Sequence, residues 1–387
     1  MTTDTEASGP GAAAAAVTRM MAGPVRADEI DLSIGEPDQA LPGVLVEAAV
    51  RSLRDGRTGY TPKLGLPELR DLVAADVEAG TGYRPDVEDV VITVGGTGAV
   101  AVALAAACAP GGSVLVPDPA WPNYRVLAER LGIGVLTYPQ GESGDGFLDL
   151  ARIRSGLRAG ARLVAVNSPS NPTGAVASAA ALRSLVALVR EFGAYVLSDE
   201  AYESVVFAGG RAPSPLADGG VDVTFAARTF SKTYSMTGLR VGALISPPRF
   251  RTAAAALHGT TAGCAPVTAQ LTAIEALSSL PGRADQLSAT YLARYRTAVQ
   301  ILGPWAPGTP VETLGGFYLW LDARPAGHTS AEVCAALRDR GIVTSSGLVY
   351  SATDGFVRVA LTAPDDVLAR ALTLIREELD RLAARAC

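Results

Sequence analysis

Lysine is almost missing from this chain. Of 33 basic side chains among 387 residues, two are lysine, Lys63 and Lys232, and the rest are arginine. Histidine is as scarce, at His258 and His328, which leaves little material for a histidine triad or a poly-histidine metal site. The four cysteines, Cys108, Cys264, Cys334 and Cys387, stand far apart without metal-type spacing, as expected of reduced thiols in a cytoplasmic protein. Positive charge is not in excess: the formal net charge is −6, which argues against binding a phosphate backbone as the main task. No apolar run reaches the ~20 residues that span a bilayer. The opening residues through Ala16 lack the basic start and bulky apolar core of a secretory signal, and read as a mobile tail.

What is present suits a large enzyme-like chain. Hydrophobic residues make up 48% and charged residues 19%, ample for a sizeable core. Short apolar runs at Val90–Thr93, Ser113–Val116, Arg162–Val166, Ala194–Ser198 and Val241–Ile245 alternate with helical stretches such as Asn123–Leu131 and Ala180–Phe192. That alternation predicts an α/β fold with a mainly parallel sheet flanked by helices. From about Ala284 the pattern changes to a long helix, hairpin-like runs around Gly315–Trp320 and a closing helix from Asp365 to Ala384, which reads as a smaller α+β domain.

In open α/β sheets ligands bind beyond the carboxyl ends of the strands. Gly95-Gly96-Thr97-Gly98 follows the first run and opens a helix, whose free N–H groups favour a phosphate, although such turns also arise for steric reasons alone. Trp121, braced by two prolines, suits stacking on a planar ring or plugging a hydrophobic gap. The loop Asn167-Ser168-Pro169-Ser170-Asn171-Pro172-Thr173-Gly174 aims an amide at an oxygen or is a plain turn. Asp199, at the end of an apolar strand, suits a protonated heterocyclic nitrogen or a helix N-cap. Lys232 lies among hydroxyls in Thr229-Phe230-Ser231-Lys232-Thr233, with Arg240 eight residues on. Arginine carries charge as well as lysine does, but only lysine releases a nucleophilic amine that attacks a carbonyl.

Taken in order, from Ile34-Gly35-Glu36-Pro37-Asp38 to Arg358, these pieces resemble the class I/II aminotransferases of the fold-type I pyridoxal phosphate (PLP) family. The resemblance implies a homodimeric enzyme that moves the amino group of an α-amino acid to a 2-oxo acid by a ping-pong mechanism. Lys232 would hold PLP as an internal aldimine and shuttle a proton. Asp199 would face the pyridinium nitrogen, while Asn171 and Tyr202 would bind the ring's 3-oxygen and Trp121 would stack on the ring. Gly96, Thr97, Thr229, Ser231 and Arg240 would hold the phosphate, with Tyr60 reaching over from the partner subunit. Arg358, otherwise a structural ion pair, would clamp the substrate carboxylate beside Asn171 and the Gly35 backbone. Glu36 and Glu200 read as loop or supporting acids. Residues 1–27 would form an N-terminal tail or arm, 28–44 and 284–387 the small domain, and 45–283 the large one.

The chain also departs from the family. Some members carry a dicarboxylate-binding lysine where Thr97 stands. No arginine occurs between His258 and Pro266, a stretch expected to form a loop near the partner's site. Both points lead away from a dedicated aspartate aminotransferase. The alternatives are a PLP lyase or amino-acid oxidase of the same fold, and a PLP-binding sensor without turnover. The lack of histidine before position 258 sets the chain apart from oxidase-like members, and no helix-turn-helix fits its first 30 residues.

Overall fold

The structure is a computed structural model, and it describes residues 25–141 and 143–386. The tail through Ala16, most of the expected arm and Cys387 lie outside the described residues. Twelve strands occur among those described: β1 (Ile30–Asp31), β2 (Val90–Thr93), β3 (Ser113–Asp118), β4 (Gly134–Pro139), β5 (Ala161–Asn167), β6 (Tyr195–Asp199), β7 (Thr224–Thr229), β8 (Gly242–Ile245), β9 (Tyr318–Asp322), β10 (Ile342–Val343), β11 (Ser345–Ser346) and β12 (Phe356–Ala360). Seven form the central sheet in the order β2-β8-β7-β6-β5-β3-β4. Strands β3 to β7 pair in parallel, whereas β8 runs antiparallel to both β2 and β7.

Both faces of this sheet are covered. Leu163 and Ala165 of β5 share a core with Ala99, Ala103 and Ala254, while Val164 and Val166 join Leu182, Leu185 and Val189 on the other side. Burial on both faces explains why the inner strands read as continuous apolar runs rather than alternating ones. Two helices on the sheet begin where a side chain supplies a missing acceptor. Ser178 accepts the Ala181 amide ahead of the helix Ala179–Glu191, and Asp149 accepts the Arg152 amide ahead of Leu150–Arg158.

Two strands of the central sheet were not expected. In β7, Arg228 interrupts the apolar pattern, and burying it is tolerable because Glu200 and Asp76 receive its guanidinium at 2.9 and 3.0 Å. The edge strand β4 leaves Gly134, Thr137 and Pro139 exposed and so lacks the hydrophobic signature of its neighbours.

Beyond the helix Arg283–Leu302 a second, smaller unit builds an antiparallel sheet, β11-β12-β9, and β10 pairs in parallel with β1. Leu32, next to β1, packs in the same core as Leu287, Phe317 and Leu368. The closing helix runs Asp365–Ala386. No described helix is long and apolar enough to cross a membrane.

Candidate active site

Strand direction decides what meets at the rim of the sheet. Parallel strands β3, β5, β6 and β7 deliver the residues that follow them to one edge, where β3 and β5 depart in opposite directions, a switch point of the kind that opens a crevice. Because β8 runs the other way, Arg240, two residues before it, arrives at this same edge. A cavity of about 1030 Å³ opens there. It is lined by Gly96 and Thr97 after β2, Trp121 after β3, Asn171 after β5, Asp199 and Tyr202 at the end of β6, and Thr229, Ser231, Lys232 and Arg240 between β7 and β8. Gly35 and Arg358 close it from the side of the smaller unit. Tyr60 is the one predicted site residue that stands apart, 97% exposed on the surface of this chain.

The Lys232 amine donates to the Gly35 carbonyl at 2.5 Å. Burial, then the nearby charge of Arg358, pulls its pKa down to about 8, so a free amine is accessible near neutral pH. The other lysine, Lys63, is exposed. Asp199 is buried, and burial pushes its pKa up to about 6 although the Tyr124 hydroxyl donates to it at 2.5 Å and the Ala201 amide at 3.1 Å. A turn rather than a helix follows Asp199, which removes the N-cap reading. Asn167 ties the two loops together, donating to the Asp199 carbonyl at 3.0 Å and accepting the Asn171 amide at 2.7 Å.

At the opposite wall Arg358 is 3% exposed. It donates to Asn171 Oδ1 at 2.9 Å and to the Ser33 carbonyl, and lies 4.3 and 4.6 Å from the Tyr318 and Tyr350 ring centres. None of these partners is a carboxylate, and its Nε is buried with no partner, so the ion-pair reading falls away. The Tyr202 hydroxyl meets that of Tyr318 at 2.9 Å.

At the third corner the helix Gly95–Ala107 presents its N-terminus with no side-chain cap. Thr229 donates to Ser231 at 2.9 Å beside it. Gly95 has φ +67°, and a Cβ there would lie 2.6 Å from Arg240 Nη2, so only glycine leaves room for the guanidinium. Trp121 meets Tyr124 edge to face, with ring centres 5.3 Å apart.

Sequence reasoning missed Tyr124, Tyr318 and Asn167 as members of this site. Asn167 opens the loop already singled out and Tyr124 lies three residues after Trp121, but nothing local points a tyrosine at a carboxylate 75 residues away. The stretch from His258 is helical as far as Thr261 rather than a loop. His258 is buried there with Nδ1 3.1 Å from the Lys63 carbonyl, and burial lowers its pKa.

The family model described as "Aminotransferase class I and II" matches residues 27–375. The chain belongs to that family. It is 29% identical to an aspartate aminotransferase of Pyrococcus horikoshii over 91% of each chain, and 30% identical to a valine–pyruvate aminotransferase of Mycobacterium tuberculosis over 90% of each. Among solved structures, aspartate aminotransferase from Thermus thermophilus with maleate superposes with a TM-score of 0.84 at 27% identity, covering 96% of both chains. This aminotransferase therefore has the PLP-dependent transferase architecture, a mainly parallel sheet flanked by helices plus a small antiparallel-sheet domain. The family to which it belongs uses PLP and transfers amino groups between amino and 2-oxo acids.

Proposed function

We propose that the cavity binds pyridoxal 5′-phosphate at Lys232 and that the enzyme carries the amino group of an α-amino acid to a 2-oxo acid in two half-reactions. The observation that carries this reading is a buried amine, titrating at about 8, in one cavity with a buried carboxylate that has no cation of its own. When bound, PLP supplies a carbonyl carbon for the amine and an electron-withdrawing ring that accepts the electron pair released at the substrate α-carbon.

The residues fit the group. Asp199 is the counter-charge for a protonated ring nitrogen, and Tyr124 and the Ala201 amide keep it ionised and oriented. Arg240, the open helix N-terminus at Gly96 and Thr97, and the hydroxyls of Thr229 and Ser231 form a donor set suited to a phosphate. Tyr202 and Asn171, which line the same cavity, would hold the ring hydroxyl, and Trp121 would pack against the ring. Arg358, with its unpartnered Nε, holds the substrate α-carboxylate, which fixes the α-hydrogen toward Lys232. Lys232 Nζ would hold the cofactor through its carbonyl carbon and, once free, would take the proton from the substrate α-carbon and hold it for return.

In this reading Gly35 and Arg358 belong to the small domain of residues 28–44 and 284–387, supported by the shared core of Leu32 with Leu287 and Leu368. The exposure of Tyr60 supports a homodimer in which this side chain serves the partner's phosphate site. Mixing Tyr60→Ala and Lys232→Ala subunits then restores one intact site per hybrid dimer, and no recovery of activity overturns the shared site.

The main test is the visible absorption of purified protein with PLP, before and after adding single amino acids without an oxo acid. A cofactor band that one donor converts is expected. Failure to form any band overturns the reading.

A further inference from the structure

The cavity is larger than its polar groups require. Besides the residues already named, Ile34, Ala331, Ala335, Val343, Leu348 and Val349 line it, a mainly apolar lobe in which Thr344, Ser345 and Ser346 are the uncharged polar members. Two of these, Ile34 and Leu348, are among the exposed large hydrophobic side chains of the chain, at 53% and 48%. Exposed apolar side chains on a concave wall favour an apolar ligand, because covering them removes that surface from water.

The lobe is built onto the clamp. Ser345 pairs with Arg358 across the β11–β12 ladder, and Val343 and Leu348 flank β11 on either side. On the opposite wall Ile34 sits between Ser33, whose carbonyl receives Arg358, and Gly35, whose carbonyl receives Lys232. A substrate held by its carboxylate at Arg358, with its α-carbon at Lys232, has its side chain beside these residues. The remaining cation of the lobe, Arg338, is already matched by Glu29 at 2.9 Å.

From this we infer that the amino donor carries an uncharged, apolar side chain of several carbons, which the Ile34–Leu348 lobe receives. The inference rests on the aminotransferase reading of the site and goes beyond it to the substrate class. An acidic side chain would put a carboxylate against Ile34, Val343 and Leu348 without a free cation among the described residues of the lobe to receive it, an unfavourable burial.

The test compares alanine, 2-aminobutyrate, norvaline, leucine, aspartate and glutamate as donors to the PLP-loaded enzyme. The expected result is a kcat/KM that rises along the apolar series by about fourfold per buried methylene, with both acidic donors below norvaline. Leu348→Ala should lower the norvaline-to-alanine ratio about tenfold, since one lost contact in an apolar pocket is worth roughly 10- to 200-fold. Ile34→Ala serves as a second variant on the other wall. Titration calorimetry supplies a readout apart from turnover, with 4-methylvalerate binding more tightly than succinate. Preference for aspartate or glutamate, with a ratio unmoved by either variant, overturns the substrate class and leaves the aminotransferase reading standing. No conversion by any donor overturns both.

Discussion

Asp199 and Glu200 are neighbours in the chain, both buried, and opposite in circumstance. Glu200 faces a second region behind the cavity, where it accepts Arg228 at 2.9 Å and the hydroxyls of Ser214 and Ser198 at 2.5 and 3.1 Å. Asp199 faces the cavity and meets a tyrosine and an amide but no cation. The arginines divide in the same way. Arg294 is matched by Asp38 at 2.7 and 2.9 Å and by Asp365 at 2.8 Å, whereas Arg358 has carbonyl oxygens, two aromatic faces and one unpartnered nitrogen. A folded chain closes its buried charges upon one another wherever they only hold structure. Charges left open in a cavity are placed for something that arrives from outside.

The comparison breaks or sharpens under substitution, and the largest effect is expected at the amine. Lys232→Ala should remove the borohydride-stable cofactor label and cut transamination by about 10⁴-fold or more. A label retained at Lys63 would sink the assignment. Arg358→Ala should lower kcat/KM by about 10²–10³-fold while the cofactor spectrum persists, as loss of a buried charged contact requires. Normal amino-acid kinetics in that variant would take Arg358 out of the site. In the closed region the same chemistry should register as stability instead. Glu200→Gln should cost roughly 3–5 kcal/mol in denaturant unfolding, because it takes a charge partner from the buried guanidinium of Arg228.

Asp199→Asn should act in the opposite sense on the ligand-free protein. The folded pKa of this carboxyl lies above its usual value, so the folded state binds the proton more tightly than the unfolded state does. Its penalty is absent below the unfolded value, grows as pH rises and is complete above about 6. Removing the charge should therefore stabilise the ligand-free protein at pH 8 by about 1–3 kcal/mol, while weakening the hold on a cationic ring. Destabilisation at pH 8 would contradict the open-charge account. The smallest effect is a pH dependence. Lys232 is depressed to about 8, so the rate of covalent cofactor capture should climb about tenfold per pH unit below that value and level off above it, followed by stopped-flow absorbance.

How much of this was legible in the sequence follows from the range of each interaction. Val90–Thr93 was read with its observed bounds, and Lys232, Asp199 and Asn171 stood out, because an apolar run and the polar turn beyond it are local in the chain. Strand β7 was invisible because the acids that neutralise Arg228 come from the residue after β6 and from the helix Pro67–Thr81. Edge strand β4 lacked signal because solvent covers part of it. The partnership of Tyr202 with Tyr318 spans 116 residues, and no spacing rule reaches that far.

The reversed strand β8 has one more consequence, in chain entropy. Thr229 pairs with Gly242, so the corner that carries Thr229, Ser231 and Arg240 closes a loop of about a dozen residues. The opposite corner, Arg358 with Asn171, closes one of 187. Loop closure grows with the logarithm of length, which makes the distant corner costlier by roughly 2 kcal/mol. The Thr229–Arg240 side of the proposed anion site is thus a local hairpin property, to which the helix start at Gly95 and Gly96 must still be brought. The carboxylate-holding end exists only once the two halves of the polypeptide have met.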